Sequence, residues 1–331
     1  MVVAGSLNLD LGLAVARLPR SGETVSASAR RDGPGGKGLN QAVAAARAGA
    51  PTAFAGSVGD DDAGRTLLAT LVAEGIDVTA VRIEEGVASG LALVVVDEEG
   101  ANSIVVVPGA NGSVHPGDVG AVPTVAGDVL VAQGEIPPSA TLAFLRAGRA
   151  VGARTILNLA PFHPPSDELV EALSILVVNE TELLDLAGVV GRRDDDQRDD
   201  DRDDDQSGRR GLAGLDAVDG ATVVAAAGHL IERGLEAVVV TLGAAGMLAV
   251  TREGIAAEPG RRVPVVDTTG AGDAVVGVLA AELAAGADLP RAMAVATVAA
   301  SLVVGRPGAA DAMPRRSEID AALAASGRAQ A

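Results

Sequence analysis

The sequence predicts an α/β protein with a central, mostly parallel β-sheet covered by helices on both faces. Short runs rich in Val, Ile and Leu alternate with Ala/Leu-rich segments of helical length along most of the 331 residues. Near-continuous apolar runs such as Ala237 to Thr241 fit strands that are buried on both faces of a sheet. The length suits a single domain, residues 1–331, around a sizeable core.

The elements follow one another in a regular order. The predicted strands share short, β-branched apolar runs, and they are Val2 to Ala4, Val129 to Ala132, Thr155 to Leu157, Ile175 to Val178 and Ala237 to Thr241. The predicted helices are longer and rich in Ala and Leu, and they are Leu39 to Ala48, Ala63 to Glu74, Ser139 to Val151, Ala221 to Arg233, Ala274 to Ala285 and Arg291 to Val304. This alternation predicts parallel pairing of the strands.

Two segments interrupt the alternation. Thr24 to Arg31 and Gly90 to Val107 have the composition of extended strands, and the second predicts a hairpin that turns at Glu98 to Ala101. Neither segment has a predicted helix beside it. We therefore expect a small antiparallel sheet apart from the main one, built from strands within about residues 12–33 and 88–108, that serves as a lid or a dimer contact.

Residues 191–211 form a low-complexity acidic insertion. The segment holds nine Asp and six Arg and no apolar side chain larger than Gly. Such a segment buries too little apolar surface to offset the entropy lost on ordering. A cation-binding or partner-binding loop is the alternative, but a solvated, disordered insertion is the more common role of such a charge run.

Composition excludes several functional classes. Asp and Glu outnumber Lys and Arg by 44 to 26, and the resulting charge of −18 disfavours binding to nucleic acids and to anionic membranes. The three Phe residues offer no platform for stacking single-stranded bases. There is no Cys for a disulfide, a thiolate zinc site or a nucleophile, and the three His residues lack the spacing of zinc ligands.

The chain shows no targeting or membrane-spanning pattern. The N-terminal residues lack a basic region, and Asp10 interrupts the sequence before an apolar run of signal length develops. No stretch reaches 18 uncharged apolar residues. We therefore expect a cytoplasmic protein.

The string DTTGAGD, Asp267 to Asp273, is the strongest chemical motif. It follows the apolar run VPVV and opens a predicted helix. Gly270, Ala271 and Gly272 are small, so that backbone N–H groups at the helix N-terminus can approach an anion and stabilise charge on a transferred phosphoryl group. Asp273, on the first turn, is placed to accept a proton from an attacking hydroxyl. A Gly-rich turn with an Asp cap is the alternative, but the full string favours the catalytic interpretation.

A second Gly-rich motif, GPGGKGLNQ, spans Gly33 to Gln41 and leads into a predicted helix. Its glycines permit a tight turn against a small ligand, while Lys37 and Asn40 supply hydrogen-bond donors. The spacing matches neither a Walker A loop nor a dinucleotide-binding fingerprint. Taken alone, a Gly-rich turn before a helix is weak support for a site.

Two shorter motifs follow predicted strands. In GSLNLD, Asn8 and Asp10 alternate on one side of an extended chain and could hold vicinal hydroxyls of a sugar, although a lone Asn is more often a turn residue. In NETE, Asn179 and Glu182 are three residues apart and could orient water around Mg²⁺. An N-cap with acidic residues in the first turn explains the second spacing equally well.

Together these motifs resemble those of the PfkB-type carbohydrate kinases. The matching strings, in chain order, are GSLNLD, GGKGLNQAVAAARAG, NETE, TLGAAG and DTTGAGDAVVGVLAAEL. The likeness runs roughly from Val2 to Leu323, with the acidic insertion as its main interruption. The joint presence of the first two strings is similar to the ribose-phosphorylating branch. The resemblance implies a ribokinase-like fold, a parallel α/β sheet with a small β lid.

The resemblance also implies roles for individual residues. Asp273 matches the catalytic base, and Gly270, Ala271 and Gly272 match the anion hole. The positions that match the sugar site, where Asp273 also acts, are Asn8, Asp10, Gly36, Lys37, Asn40 and Glu135. The positions that match the ATP and Mg²⁺ site are Asn179, Glu182, Thr241, Gly243, Gly246 and Gly272.

A monovalent cation, usually K⁺, is a further implication of the resemblance. The matching positions are Asp267, Thr269, Val303, Arg306 and Gly308, the last three through backbone carbonyls. This chain has Ala312 where such kinases often have Ser, which makes cation activation a weaker expectation than catalysis.

The activity implied is ATP-dependent phosphorylation of D-ribose at O5 by a homodimer joined through its β lids. Kinases of the same family that act on fructose, deoxyribose or a nucleoside are the nearest alternatives, and the few aromatic residues argue against a nucleoside. A catalytically inactive sugar sensor is the alternative from another class. It would be expected to lack the base or the anion-hole glycines, and both are present.

Overall fold

The computed structural model describes residues 1–186, 188 and 220–325. The acidic insertion predicted at 191–211 lies outside the described residues.

Thirteen strands are present in the described residues. They are β1 (Val2–Ala4), β2 (Asn8–Val15), β3 (Ala27–Gly35), β4 (Ala53–Gly59), β5 (Asp77–Glu84), β6 (Gly90–Val96), β7 (Asn102–Val107), β8 (Val129–Gln133), β9 (Arg154–Asn158), β10 (Ile175–Asn179), β11 (Ala237–Thr241), β12 (Gly246–Thr251) and β13 (Gly254–Pro259). The helices are α1 (Lys37–Arg47), α2 (Asp62–Ala73), α3 (Pro116–Gly120), α4 (Pro138–Ala150), α5 (Asp167–Glu171), α6 (described over 180–186), α7 (Gly220–Glu232), α8 (Ala271–Ala284), α9 (Leu289–Val303) and α10 (Arg316–Ala325).

The main sheet has nine strands in the order β13-β12-β11-β10-β9-β8-β1-β4-β5. The strands from β11 to β5 in this order are parallel, while β12 and β13 add an antiparallel edge. All five predicted strands and all six predicted helices are confirmed, with ends shifted by a few residues. The sequence prediction omitted β4, β5, β12 and β13.

Helices cover both faces of the main sheet, as predicted. Alternate residues along each strand enter two separate cores: in β8, Val129 and Val131 pack on one side with α1, α8 and α9, and Leu130 and Ala132 on the other with α4. Because every second side chain of a strand points to the same face, near-continuous apolar strands are what a doubly covered sheet requires. No helix among the described residues is long and apolar enough to cross a membrane.

The smaller sheet, which we call the lid, has the order β3-β2-β6-β7. The predicted hairpin is confirmed: β6 and β7 are antiparallel, and the Asp97 N–H donates to the Ala101 carbonyl at the turn. The prediction of a wholly antiparallel sheet is wrong, because β2 and β6 pair in parallel. Both strands leave the main sheet from the same edge, β2 after β1 and β6 after β5, so they enter the lid in the same direction. The lid also starts earlier than predicted, at Asn8.

Candidate active site

A cavity of about 840 Å³ lies between the lid and the carboxyl edge of the main sheet. The lid contributes residues of β2, β3, β6 and β7, and the body contributes the start of α1 and the loops around α8 and α9. Both motifs with Gly-rich turns therefore meet at one place, although they are more than 200 residues apart. The predicted residues that line this cavity are Asn8, Asp10, Gly36, Lys37, Asn40, Glu135, Asp267, Thr269, Gly270, Asp273 and Gly308.

Asp273 lies at the floor of the cavity, in the first turn of α8. Its side chain is buried, and it accepts hydrogen bonds from the Asn40 amide (2.9 Å) and the Gln41 amide (3.0 Å). Gly270 is the N-cap residue just before the helix. Its φ of 76° is left-handed, and a Cβ at this position would lie 3.2 Å from the Ala309 Cα, so glycine suits it. A carboxylate thus lies directly beside a helix N-terminus, where unpaired N–H groups attract an anion.

Three buried amides behind Asp273, those of Gln41, Gln133 and Asn158, were missed by the sequence analysis. The Gln41 amide also donates to Asn158 Oδ1 (3.0 Å), and the Gln133 amide donates to Gln41 Oε1 (2.7 Å). Gln133 and Asn158 are paired neighbours at the carboxyl ends of β8 and β9. The sequence contained one signal for Gln41, which directly follows Asn40 in the Gly-rich motif. It contained none for Gln133 and Asn158, because amides at strand ends are common and belong to no motif.

Asn111 was also missed. It lies buried in the short 3₁₀ turn after β7, and its amide donates to Asn8 Oδ1 (2.7 Å) and to the Leu7 carbonyl (3.2 Å). The side-chain oxygen Oδ1 of Asn111 accepts from the Leu7 N–H (2.9 Å). Asn8 is therefore held at the start of β2, with Asp10 two residues further on the same side of the strand, as predicted.

Asp10 is the lid carboxylate that faces the cavity. Burial, followed by the charges of Glu135 and Asp273, raises the pKa of Asp10 to about 7. Within the described part of the chain, the buried atoms Asp10 Oδ1 and Asn40 Oδ1 have no hydrogen-bond partner. Since an unpaired buried acceptor is costly, both oxygens are available to a ligand that brings hydroxyl donors.

Lys37 and Glu135 form the polar wall beside the base. The charge of Asp273 is the main cause that raises the pKa of Lys37, with Glu135 and Glu182 adding to it and burial opposing it. Glu135 accepts hydrogen bonds from the Ser6 hydroxyl and, at 3.0 Å, from the backbone N–H of Lys37. The cavity therefore combines Lys37, and the arginines Arg30 and Arg31 on the lid, with several carboxylates and neutral amides.

The predicted nucleotide positions lie at the neighbouring strand ends. Asn179 ends β10 and is paired in register with Thr241 at the end of β11. Gly243 and Gly246, both with positive φ, form the tight turn between β11 and β12. In the part of the chain that the structure describes, the 840 Å³ cavity is not lined by any of five predicted nucleotide positions, namely Asn179, Glu182, Thr241, Gly243 and Gly246.

Asn179 and Glu182 form a capping box at the start of α6. The Asn179 side chain accepts from the Glu182 N–H (2.8 Å), and the Glu182 carboxylate accepts from the Asn179 N–H (2.8 Å). Burial raises the pKa of Glu182, although the Asn179 N–H and the charge of Lys37 oppose this. The geometry is thus that of the N-cap alternative, and a contribution to Mg²⁺ binding stays a prediction.

The predicted cation positions fall on two loops joined by Asp267. Its carboxylate accepts from the N–H groups of Thr269 and Gly308, both at 2.9 Å. Burial opposes ionisation of Asp267, but these hydrogen bonds outweigh it and lower its pKa.

The remaining cation positions are less open. The Val303 carbonyl already accepts from the Arg306 N–H (2.9 Å), and the Arg306 side chain pairs with Glu318. Ala312 is buried and apolar. Among the described residues there is no cluster of three His, Asp or Glu side chains suited to a metal ion.

The chain is similar to known proteins over nearly its whole length. The model of the pfkB family of carbohydrate kinases matches residues 1–316. The chain is 31% identical to a ribokinase of Haemophilus influenzae over 320 residues, and the matched region covers 96% of each protein. It is 32% identical over 323 residues to a bifunctional ribokinase/ribose-5-phosphate isomerase A of Fructilactobacillus sanfranciscensis, covering 96% of this chain and 55% of that protein.

A related specificity also occurs among the relatives. A deoxyribokinase of Salmonella typhi is 31% identical over 317 residues, with 95% of each protein covered. In structure, the chain resembles the Arabidopsis thaliana ribokinase complexed with ribose and ATP, with a TM-score of 0.80, 29% identity and 97% of each chain covered.

Proposed function

This chain belongs to the pfkB family of carbohydrate kinases and is a phosphotransferase, and we propose that it transfers the γ-phosphoryl group of ATP to O5 of D-ribose, giving D-ribose 5-phosphate and ADP. The observation that carries the proposal is the position of Asp273 in the cavity. This carboxylate lies beside the N-terminus of α8 and accepts from the Asn40 amide, in a cavity where the buried acceptors Asp10 Oδ1 and Asn40 Oδ1 have no partner among the described residues. A polar acceptor molecule with several hydroxyl groups fits this combination.

The proposed chemistry uses this chain's own groups. Asp273 accepts the proton of the sugar hydroxyl as its oxygen attacks the γ-phosphorus in line, and the bond from phosphorus to the leaving oxygen of ADP breaks. The N–H groups of Gly270, Ala271 and Gly272 stabilise the charge on the transferred group. Closure of the lid over the cavity would exclude water and so favour transfer to the sugar over hydrolysis of ATP.

ATP is inferred from the ribokinase structures that hold ATP or ADP. Mg²⁺, when bound, would neutralise charge on the polyphosphate. Asn179 and Glu182 are the residues that would orient the water around an Mg²⁺ ion carried by the nucleotide.

K⁺ is the second ion of the proposal. Asp267 and Thr269 would hold it with the carbonyls of Val303, Arg306 and Gly308, and the joining of two loops through Asp267 supports a site there. The absence of a hydroxyl at Ala312 and the engaged Val303 carbonyl predict weak activation. An ATP-consuming sugar kinase is expected in the cytoplasm, which is the location we infer.

The choice of ribose rests on hydrogen bonding. Asp10 Oδ1 and Asn40 Oδ1 each need a donor, and a sugar that lacks the hydroxyl reaching one of them leaves that buried acceptor unpaired. The lid side of the cavity is lined by aliphatic residues such as Val94 and Ile104, which do not provide an aromatic platform for a nucleoside base. Deoxyribose is the second candidate, because a deoxyribokinase is among the relatives.

The test is a coupled assay of ADP release with Mg-ATP and ribose, deoxyribose, fructose or adenosine, with and without K⁺. We expect turnover on ribose well above the others and a modest increase with K⁺. Asp273→Asn should lower kcat by roughly 10²–10⁴-fold while ribose affinity, measured by calorimetry, changes little. Preference for another acceptor would refute ribose as the substrate, and absence of turnover on all four with intact ribose binding would favour a sugar sensor.

A further inference from the structure

Gln41 is the buried neighbour of the proposed base. It lies in the second turn of α1, has no exposed surface and does not line the cavity, whereas Asn40 beside it does. Gln41 is therefore unable to touch a substrate in the cavity. Its contact with the chemistry is the 3.0 Å hydrogen bond to Asp273 Oδ1.

The orientation of each amide follows from the charge of Asp273. An ionised carboxylate only accepts hydrogen bonds, so Gln41 must turn its nitrogen toward Asp273 and its oxygen toward Gln133. Gln133 must then donate, and the second N–H of Gln41 is taken by Asn158 Oδ1. Asn158 in turn directs its own nitrogen to the Val177 carbonyl in β10 (3.4 Å). Every member of this chain of amides is buried.

This arrangement favours the ionised state of the base. Both carboxylate oxygens of Asp273 accept N–H groups, from Gln41 and from Asn40, and these hydrogen bonds are stronger to a charged than to a neutral carboxyl group. A proton can join Asp273 only on a lone pair that neither amide uses, and the amides cannot rotate to accept it without losing their bonds to Gln133 and Asn158. The chain of amides thus favours the ionised form.

We propose that Gln41 is a positioning residue that keeps Asp273 ionised and oriented for proton abstraction, through a buried chain of amides with Gln133 and Asn158. The proposal rests on the proposed function for the role of Asp273 as the base, whereas the contacts of Gln41 are independent of it. It predicts that loss of the Gln41 amide leaves Asp273 Oδ1 without its buried donor and makes protonation of the base easier. The acid limb of the activity profile should then move to higher pH.

Two variants test the proposal in the full-length enzyme. Gln41→Leu removes the donor, and Gln41→Glu keeps the shape but places a second carboxyl group about 3 Å from Asp273, where the pair would share one proton. We expect kcat of Gln41→Leu at saturating ribose and ATP to reach half of its maximum at a pH about one unit higher than in the wild type. For Gln41→Glu this pH should be higher still. Saturating sugar removes the contribution of sugar binding to the profile.

Ser174→Ala is the matched control for loss of a buried polar group. Ser174 is fully buried and bonds with Thr155 in the same sheet, away from the cavity. It should lower stability without moving the acid limb. If Gln41→Leu fails to fold, Gln41→Glu still decides. An acid limb unchanged in the folded Gln41 variants would overturn the proposal, even if their stability or kcat falls.

A second readout does not depend on kinase activity. In protein labelled with ¹³C at Asp carboxyl groups, the Asp273 signal, assigned with Asp273→Asn, should titrate at higher pH in both Gln41 variants. An inactive wild type with this shift would refute the proposed reaction and support the role of Gln41. An active wild type, together with Gln41 variants in which the Asp273 signal does not shift, would support the proposed reaction and refute the role of Gln41.

Discussion

Asp10 occupies an environment that opposes its charge. One of its oxygens is buried without a partner among the described residues, and burial with Glu135 and Asp273 nearby raises its pKa to about 7. In the proposed function this carboxylate accepts hydrogen bonds from sugar hydroxyls, so sugar affinity should depend on its ionisation. Site and stability therefore make opposite demands on this residue.

We predict that ribose binds about tenfold more weakly at pH 6 than at pH 8, since one proton must leave Asp10 before the sugar is bound. Calorimetric titration without nucleotide measures this dissociation constant directly. In Asp10→Asn the affinity should be low and independent of pH over the same range. Equal wild-type affinities at pH 6 and 8 would contradict the prediction.

The same shift fixes the sign of an effect on stability. Because the pKa of Asp10 is higher in the folded than in the unfolded chain, ionisation opposes folding; this cost grows as pH rises from about 4 to 7 and stays constant above 7. Asp10→Asn should thus raise the free energy of unfolding of the sugar-free protein by on the order of 1–3 kcal/mol at pH 8 and leave it nearly unchanged at pH 4. Denaturant unfolding at the two pH values checks this.

At the residue scale, the sequence predicted the cavity residues that belong to a recognisable motif. It did not predict the buried residues that hydrogen-bond to them or to their neighbours. Asn8, Asp10 and Asp273 were identified because each stands in a short string with a chemical meaning. Asn111 and Gln133 were not, because a single amide in an ordinary segment has many structural uses. Their roles depend on which distant segments the fold brings within 3 Å, and spacing along the chain does not contain that distance.

At the scale of elements, the lid is attached to the body across the mouth of the cavity by Arg31. This residue lies on β3; its guanidinium donates to the Pro307 carbonyl (3.4 Å) and lies 3.9 Å from the Asp311 carboxylate. It packs so closely on Gly308 that a Cβ there would lie 2.8 Å from Nη2. Gly308 in turn donates to Asp267 at the start of the anion-hole loop, so one lid side chain contacts the loop that shapes the site.

We predict that Arg31→Ala loosens lid closure and raises the KM for ribose about two- to tenfold, because a half-exposed ion pair with one hydrogen bond contributes modestly. The kcat should fall less, and ATP hydrolysis without sugar transfer should rise relative to transfer. Arg17→Ala is the control, since Arg17 is also an exposed arginine but pairs with Glu23 inside the lid segment. Identical kinetics of the two variants would show that Arg31 does not fasten the lid.

The elements that the sequence predicted are those with an unambiguous composition. The central strands β8 to β11 are short and dense in Val, Ile and Leu, because both of their faces are buried. β4 was missed because AFAGSVG contains small residues, and β5 because its polar residues suit the sheet edge where it lies. The start of β2 was assigned to a ligand motif and not to a strand. It is part of both, because the strand that brings Asn8 and Asp10 to the cavity belongs to the lid.

For the whole molecule, β7 is the feature that predicts assembly. It forms an edge of the lid and leaves Val105 and Val107 more than half exposed, at 58% and 51%. Ile104 and Val106 line the cavity, so Val105 and Val107 point to the opposite, outer face of the lid. An apolar edge strand in water is prone to pairing, and a second copy of the same lid is a partner that covers it symmetrically.

We predict a homodimer of two 32.7 kDa chains that is disrupted by Val105→Glu, measured by analytical ultracentrifugation. The charge of −18 on each chain opposes association, so the dissociation constant of the dimer should fall as ionic strength rises from 50 to 300 mM and screening increases. Ile255→Glu is the matched control, because Ile255 is 57% exposed on β13, the edge strand of the main sheet. It should leave the dimer intact. A wild type that is monomeric at 300 mM salt and micromolar concentration, or equal dissociation by both variants, would exclude the lid as the interface.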